Sequence, residues 1–462
     1  MRILFIWPGV DNTELCNLLP LGFGYLAANL PREYRVKLWD GVLAGHRDSH
    51  GIIEEVRRFQ PDLIGLSTWN FNLKAAREVA NLIKKHFPEV VIVAGGPSVS
   101  GYQDRIFSTI NADYAFSGEA EKPFRQFLEL FEEDVLTVDN LKQIDGLIYR
   151  DGNEGIVCNP PRWESLDDLK YCDYRFLNLD HYLEVGYRYG VHHTAKRTAP
   201  ILTTRGCPFP CEYCSARRIN GRRVRTRPVE SVIAEIKELH QDFQIDGLNI
   251  IDDNFTFNID YAKEVCRAIV DLGMRKVSFC CPNGVKVEYL DEELLYLMKR
   301  AGWECLFIAP ESGSERTLKN MRKQINLQVV EEKLKMIKRA GLKAFGFFMI
   351  GYPNETAADI KMTIDFACRN DFDFVVFTCF QPLVGTPVYD KLVKEGEIDK
   401  PPEGLDYYEV SYAPKGLTVR EMKFWRFWGL IRFYTSSPNR LRDALSNYSL
   451  KRVLTFVRKI VQ

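Results

Sequence analysis

Two stretches of this chain alternate short β-rich apolar runs with segments whose apolar residues recur at helical spacing, and that alternation restricts the fold more than any other feature. In the first, RILFIWPG, YRVKLWDG, DLIGLSTW, VVIVAGGPS and YAFSGEAE are separated by LGFGYLAANL, GIIEEVRRFQ, LKAAREVANLIKKHF and YQDRIFSTI, and PFRQFLELFEE closes the series. Strands that alternate with helices are joined by crossovers, which makes the sheet parallel and covers both its faces. Residues 1–140 are therefore expected to form a doubly wound, Rossmann-like domain whose binding edge is the C-terminal edge of the sheet. Residues 141–198 break the pattern: Asp151-Gly152-Asn153 reads as a hairpin turn, Pro160-Pro161 and an irregular aromatic stretch follow, and the whole reads as a linker with a β-hairpin.

Over residues 199–390 the alternation resumes through ILTTRG, GLNIIDDN, KVSFCCPNG, ECLFIAPES, KAFGFFMIGYP and DFVVFTCFQPL. Six βα units are too few to close an eight-fold barrel, so a partial (β/α)6 barrel of the TIM type is expected, with function at the C-terminal ends of its strands. Residues 391–462 read as a small helical region. From Gly416 onward it carries ten Lys/Arg against Glu421 and Asp443, with Phe424, Trp425, Phe427, Trp428, Ile431 and Phe433 interleaved. Such a helix either packs across the open side of the barrel, the reading preferred here, or lies on a membrane surface. The fold class is thus α/β with a helical C-terminal region.

Lys plus Arg and Asp plus Glu both total 62, so no overall charge draws the chain to nucleic acid or membrane. No apolar run of about 18 residues appears, and RILFIWPG directly after Met1 reads as a strand rather than a leader. Twelve cysteines in so long a chain do not suggest a secreted disulfide scaffold; a reducing cytoplasm is expected. Nine are scattered, whereas Cys207, Cys211 and Cys214 fall within eight residues in TTRGCPFPCEYCSARR, where a loop would leave the first barrel strand. A four-iron cluster normally takes four thiolates, so three close ones leave an iron open to a substrate. Zinc prefers four closed ligands, and the second Cys or His pair it would need is missing, since His192-His193 lies upstream. A purely structural trio fits poorly with Gly206, Pro208 and Pro210, which shape a loop.

TTRGCPFPCEYCS resembles the signature of the radical S-adenosylmethionine (SAM) superfamily, and IIDDNFTFN, CPNGVKVEYLDEELLYLMKRAGW, IAPESGSERTLKNMRK and FFMIGYPNET resemble its later blocks over roughly 200 residues. The resemblance implies that Cys207, Cys211 and Cys214 hold a [4Fe-4S] cluster whose unique iron is chelated by SAM, with Tyr213 near the adenine. It further implies SAM contacts at Asp252, Asp253 and Asn254, where the family commonly has Gly-Gly-Glu, and at Glu311, Ser312 and Gly351, the last followed by Tyr352 and Pro353. For Glu311 the competing reading is a simple ion pair with a basic residue of the mouth. Arg217, Arg218, Arg222, Arg223, Arg225 and Arg227 read as a solvated face rather than an RNA site, one of them free to pair with SAM's carboxylate.

The first turn lacks Gly-x-Gly-x-x-Gly, so a nicotinamide cofactor is not expected. Instead LPLGFGYLAANL, LIGLSTWNF, VVIVAGGPSVS and YAFSGEAEKPF, in that order, resemble the cobalamin-binding domain fused to many radical SAM enzymes. The resemblance implies a slot for the corrinoid along Pro20, Leu21 and Gly22 through Gly24, Ser67 and Thr68, Gly95, Gly96 and Pro97, and Gly118 and Glu119. Taken singly, such glycines more often just make tight turns. A lower-face histidine from Asp-x-His-x-x-Gly is missing; His46 and His50 lie in GVLAGHRDSHG, so a bound cobalamin is expected to have its cobalt five-coordinate or water-capped on the lower face.

Together these resemblances imply a cobalamin-dependent radical SAM enzyme. Reductive SAM cleavage would give a 5′-deoxyadenosyl radical that takes hydrogen from an unactivated carbon, and methylcobalamin would methylate it. Oxidative cyclisation or ring rearrangement on the same scaffold is the runner-up, and a non-enzymatic cobalamin or redox sensor the reading from another class. The expected partners are a small-molecule or lipid substrate and an electron donor such as flavodoxin or ferredoxin, with no nucleic acid. Cys280, Cys281 and Cys379 read as small buried hydrophobes rather than hydrogen donors or extra ligands, and Tyr352 and Glu355 are treated alike.

Overall fold

The computed structural model describes residues 1–9, 18–44, 49–152, 155–184, 192, 194–274, 276–399 and 409–447. The first five strands are β1 (Arg2–Trp7), β2 (Arg35–Asp40), β3 (Leu63–Ser67), β4 (Val91–Gly95) and β5 (Tyr114–Phe116). They pair in parallel in the order β2-β1-β3-β4-β5. β1 shows why its sequence makes an inner strand: Ile3, Phe5 and Trp7 enter one core, and Leu4 and Ile6 enter the other. With period 2 and both faces under helices, apolar residues occupy every position.

The hairpin expected in the linker belongs to this sheet. β6 (Leu147–Asp151) runs antiparallel to β5, and β7 (Gly155–Cys158) antiparallel to β6. The physical reason is that β5 has three residues and would otherwise leave an apolar edge unpaired. Leu147 and Tyr149 pack on one side of the sheet and Ile148 on the other. The first unit therefore runs to Cys158 rather than stopping at 140.

The second unit holds β8 (Thr198–Ile201), then a short antiparallel hairpin of β9 (Thr204–Arg205) and β10 (Arg225–Thr226), then β11 (Gly247–Ile250), β12 (Ser278–Cys280), β13 (Cys305–Glu311), β14 (Lys343–Ile350) and β15 (Phe374–Cys379). β8, β11 and β12 are parallel neighbours, as are β13, β14 and β15. Single bridges at Phe279–Trp303 and Val285–Ile308 join the two triplets into a six-stranded arc. The outward residues Ile201, Leu248, Ile250, Leu306, Ile308, Phe348, Ile350 and Phe377 share one core with the surrounding helices. Those helices are locally well specified: Glu292–Ala301 starts at Asp291, whose carboxylate accepts the Leu294 N–H, and ends at Gly302, whose φ of 108° favours glycine.

The helix Val419–Thr435 opens with a Thr418/Glu421 capping box and buries Met422, Arg426, Leu430 and Phe433. It packs on β15 and on the helix Ala357–Arg369, so the described part of the basic aromatic region packs, as preferred above. It covers the outer face of β15, at Phe377, rather than the gap in the barrel. No described helix is long and apolar enough to cross a membrane. The tail from 448 onward and His46 lie outside the described residues.

Candidate functional site

The cysteines lie on the loop that β9 and β10 pinch together. Gly206 enters this loop at φ 104°, and its α-carbon backs so closely on the Arg223 carbonyl that no side chain fits. The Cys207 N–H donates to the Gly221 carbonyl (3.1 Å) and the Cys214 N–H to that of Cys211 (3.3 Å). The Glu212 N–H donates to Met321 O (3.0 Å), and Glu212 O accepts from the Val388 N–H (3.2 Å), which threads the loop between two helices at the strands' C-terminal ends. All three thiols are unbridged and half-buried.

Burial, with the Asp253 carboxylate and the neighbouring cysteines added, pushes the Cys214 thiol up to about 12; Cys207 is raised mainly by burial. Without a metal these are protonated thiols, and a metal deprotonates them on binding. Among the described residues no three His, Cys, Asp or Glu side chains converge on a single ion. The donor set, three unpaired soft sulfurs on one short loop, fits a [4Fe-4S] cluster.

Around the sulfurs the predicted residues separate into those that face them and those that do not. The Tyr213 hydroxyl donates to Glu311 (2.9 Å), and the Lys323 ammonium donates to both Glu311 (3.1 Å) and Tyr213 (3.2 Å). Glu311 has φ 68° where the β13–β14 register slips, a strained position at the mouth of the kind function tends to hold. Asp253 accepts from Asn220 (2.9 Å) and interacts with Cys207 and Cys214.

Asp252, by contrast, is buried and takes the Thr203 N–H (2.7 Å) and the hydroxyls of Thr203 (2.5 Å) and Thr204 (2.8 Å). Burial pushes it up to about 6. Asn254 takes the Lys286 N–H (3.3 Å), and Ser312 is shut between Thr363 and Ser314. These three are buried and hold loops in place, their polar atoms engaged by Thr203, Thr204, Lys286 and Thr363 from segments that only the fold brings beside them. Gly351, φ 81°, donates to Glu355 (2.5 Å), and a side chain there would meet Met422 at 2.6 Å. Glu355 is buried and pushed up to about 8 by burial, and its other oxygen has no hydrogen-bond partner among the described residues. Cys280, Cys281 and Cys379 are buried, as small hydrophobes would be.

Two lysines escaped the sequence reading. Lys323 is held charged: burial opposes its charge, but the Glu311 carboxylate outweighs that and raises it above the usual lysine range. Lys286, beside Cys211 and Lys323, is lowered chiefly by burial. Both lie inside the blocks quoted above, Lys286 in CPNGVKVEYL and Lys323 at the end of IAPESGSERTLKNMRK, but no spacing singles them out, so only folding brings them to the sulfurs.

At the sheet edge, Thr68 donates through N–H and hydroxyl to Gly95 O (2.8 and 2.9 Å). A side chain at Gly96, φ 105°, would meet Thr68 O at 2.6 Å. Pro97 starts the helix Pro97–Tyr102 and Pro20 precedes the helix Leu21–Asn29. A Cβ added at Gly22, or at Gly95, which pairs with Ser67, would meet nothing within 4 Å among the described residues, so these two positions leave the edge uncrowded, as a bulky flat group requires. Gly24, in contrast, is packed against Cys172 and Leu177. Gly118 and Glu119 do not line open space either. Gly118 abuts Pro161, and Glu119 forms a two-pronged pair with Arg225 and a longer one with Arg205 (3.5 Å). With Glu121–Arg205 (2.6 Å) they seam the first unit to the cysteine hairpin, because two arginines shielded from water need carboxylate partners. Here too the helix Pro97–Tyr102 touches Ala216–Ile219, just after Cys214. The open edge and the cysteine loop therefore lie side by side.

A model of the radical SAM superfamily matches residues 201–367, and one of the B12 binding domain matches residues 16–128. An uncharacterized methyltransferase, PH0819, of Pyrococcus horikoshii is 31% identical over 374 residues, covering 80% of this chain and 78% of that protein. The chain belongs to the cobalamin-dependent radical SAM family. It is accordingly an enzyme with methyltransferase relatives. The anaerobic magnesium-protoporphyrin IX monomethyl ester cyclase of Cereibacter sphaeroides is 22% identical over 91% of this chain and 68% of its own. The structure of TsrM from Kitasatospora setae, a radical SAM methyltransferase with cobalamin and a [4Fe-4S] cluster bound, superposes with a TM-score of 0.72 at 18% identity, covering 90% of this chain and 83% of that one.

Proposed function

We propose that this family member transfers a methyl group to an unactivated carbon of a small-molecule or lipid substrate. The observation that carries the reading is the contact between the helix Pro97–Tyr102, at the edge of the first sheet, and the helix Ala216–Ile219, which follows the cysteine loop. Bound there, cluster and SAM supply a hydrogen-abstracting radical, and cobalamin supplies the methyl group. This chain contributes position and shelter. Cys207, Cys211 and Cys214 hold the cluster; Tyr213, Asp253 and Glu311 face SAM, and Asp252, Asn254, Ser312 and Gly351 brace the loops behind them. Pro20 to Gly22, Ser67, Thr68 and Gly95 to Pro97 border the corrinoid.

The inner wall supports an apolar reacting carbon: Cys280, Cys305, Phe307, Phe345 and Phe347 form a small cluster detached from the main core, with Phe307 and Phe345 stacked at 4.7 Å. The test is anaerobic reconstitution with iron, sulfide and cobalamin, reduction with SAM, and mass analysis. Methyl transfer gives S-adenosylhomocysteine and 5′-deoxyadenosine in about equal amounts with a methylated product, and Cys207→Ala, Cys211→Ala or Cys214→Ala abolishes deoxyadenosine. The cyclase relative favours a second reading, ring formation, which yields deoxyadenosine with no methylated product.

A further inference from the structure

We propose that the turn bearing Arg218, Arg222 and Arg223 is the docking surface for an acidic one-electron donor protein of the flavodoxin or ferredoxin kind. The inference rests on the cluster assignment above and adds where the electron enters. All three arginines are exposed, and none meets a carboxylate among the described residues. Elsewhere in the same hairpin arginines are matched, Arg205 and Arg225 by Glu119 and Glu121, and Arg227 by Glu235. A run that pairs its inner arginines and leaves its outer ones unmatched presents uncompensated positive charge on one side only. The chain as a whole is neutral, so any pull on an acidic partner has to come from such a local patch.

The turn is also joined to the cluster loop by backbone. Cys207 N–H bonds Gly221 O (3.1 Å), Gly206 lies against Arg223 O, and Asn220 reaches Asp253 (2.9 Å). Trp163 backs the turn rigidly, packing on Gly221 and donating to Ile219 O (3.0 Å). A cleft of about 350 Å³ runs beside Arg223, and its far wall carries Glu164 and Asp167. Glu164 is paired with Lys122, whereas Asp167 accepts the Ser165 hydroxyl and keeps its charge, so three unpaired arginines stand against one such carboxylate of the cleft wall. In the step itself the donor loses one electron and the oxidised cluster gains it, with no bond formed or broken in this chain.

The experiment is stopped-flow reduction of the reconstituted enzyme, followed by cluster bleaching, with a bacterial flavodoxin hydroquinone or with dithionite. For a variant carrying R218E, R222E and R223E, flavodoxin-driven reduction at low ionic strength is expected to slow about tenfold or more, while the rate with dithionite, itself an anion and so compared at high ionic strength where its charge is screened, stays that of the parent. The corresponding triple Arg→Lys variant should keep the parent rate, and added salt should slow the parent toward the reversed variant. Flavodoxin reducing the charge-reversed variant at the parent rate, or a parent rate indifferent to salt, overturns the docking surface. No bleaching of the parent by dithionite overturns the cluster reading, and the docking with it. The parent's own salt dependence is measured without any variant and decides the matter even where the triple variant fails to fold.

Discussion

The two βα units are built from the same repeat and leave room for a ligand in opposite ways. In the first, residues on both faces of the central strands are buried under helices, so among the described residues the room is at the strand ends. In the second, β14 buries Ala344, Gly346, Phe348 and Ile350 outward, while the alternate residues Phe345, Phe347 and Met349 face inward and stay partly accessible. A flat twisted sheet has two outsides; a curled one has an inside. What separates an edge site from an interior site here is sheet curvature, since both units use similar apolar strands.

The largest effect that would test this division lies in the barrel. Arg227 and Glu235 form an ion pair at 2.5 Å with both side chains essentially inaccessible, and Tyr174 also donates to Glu235 (2.8 Å). Arg227→Met strands a buried carboxylate and is expected to cost about 3–5 kcal/mol, whereas adding Glu235→Leu should restore most of it. Urea unfolding followed by separate probes in each unit measures this. If only the barrel transition moves, the two units are thermodynamically separate; if a single transition moves whole, the contrast drawn above is one of shape alone.

Next comes the seam. Gly101 in the first unit and Gly385 after β15 touch backbone to backbone: a Cβ at Gly101 would meet Val384 O at 2.5 Å, and one at Gly385 would meet Gly101 Cα at 2.6 Å. Gly101→Val forces the units apart at an expected cost of about 1–3 kcal/mol. Limited proteolysis should then cut faster between residues 159 and 197. Unchanged cleavage would mean that the Glu119, Glu121, Arg205 and Arg225 pairs alone fix the two units together.

Much of this was legible beforehand, for identifiable reasons. Period-2 and period-3.6 patterns locate elements, so the parallel strands of both units were readable, and Cys-x3-Cys-x2-Cys marks its loop through spacing alone. Pairing between distant segments is not local information: nothing in IDGLIYRDGNEGIVC says that it completes an edge begun at Tyr114. The same limit applied at the site. Asp252 and Ser312 sit in the expected blocks, but their side chains were captured by Thr203 and Thr363, partners fixed only by the fold. Lys323 and Glu119 found ion pairs 12 and 106 residues away.

A smaller effect distinguishes the edge of the first sheet by pH. Asp40, at the end of β2, is buried and accepts from the Val42 and Leu43 N–H groups and from Tyr182 (2.7 Å), yet burial outweighs these bonds and pushes it up to about 6. The folded state thus holds this proton more tightly than the unfolded chain, whose aspartate titrates near 4. Between about pH 4 and pH 6 the folded form binds more protons, so this group's contribution to stability falls as pH rises through that window and stays low above it. Asp40→Asn removes the penalty and keeps the acceptor. Its melting temperature relative to the parent should rise from pH 4 to pH 7, by on the order of 1 kcal/mol of stability. A constant difference across that range would mean that Asp40 is ionised at no cost.

The smallest effect asks whether the C-terminal helix belongs to the barrel's cooperative unit. Thr418 accepts the Glu421 N–H (3.2 Å) and donates its hydroxyl to the Glu421 carboxylate (2.8 Å), and the residues at this helix start are exposed. Loss of the cap in Thr418→Ala should cost about 0.5–1 kcal/mol, at the low end for caps because water replaces the lost bonds. The informative quantity is where that loss is felt. Met422, Leu430 and Phe433 are packed in the same core as β15, so the whole barrel should destabilise by that amount in urea. Amide exchange that speeds only within Val419–Thr435, with the β15 amides unmoved, would instead make the helix a separately fraying attachment.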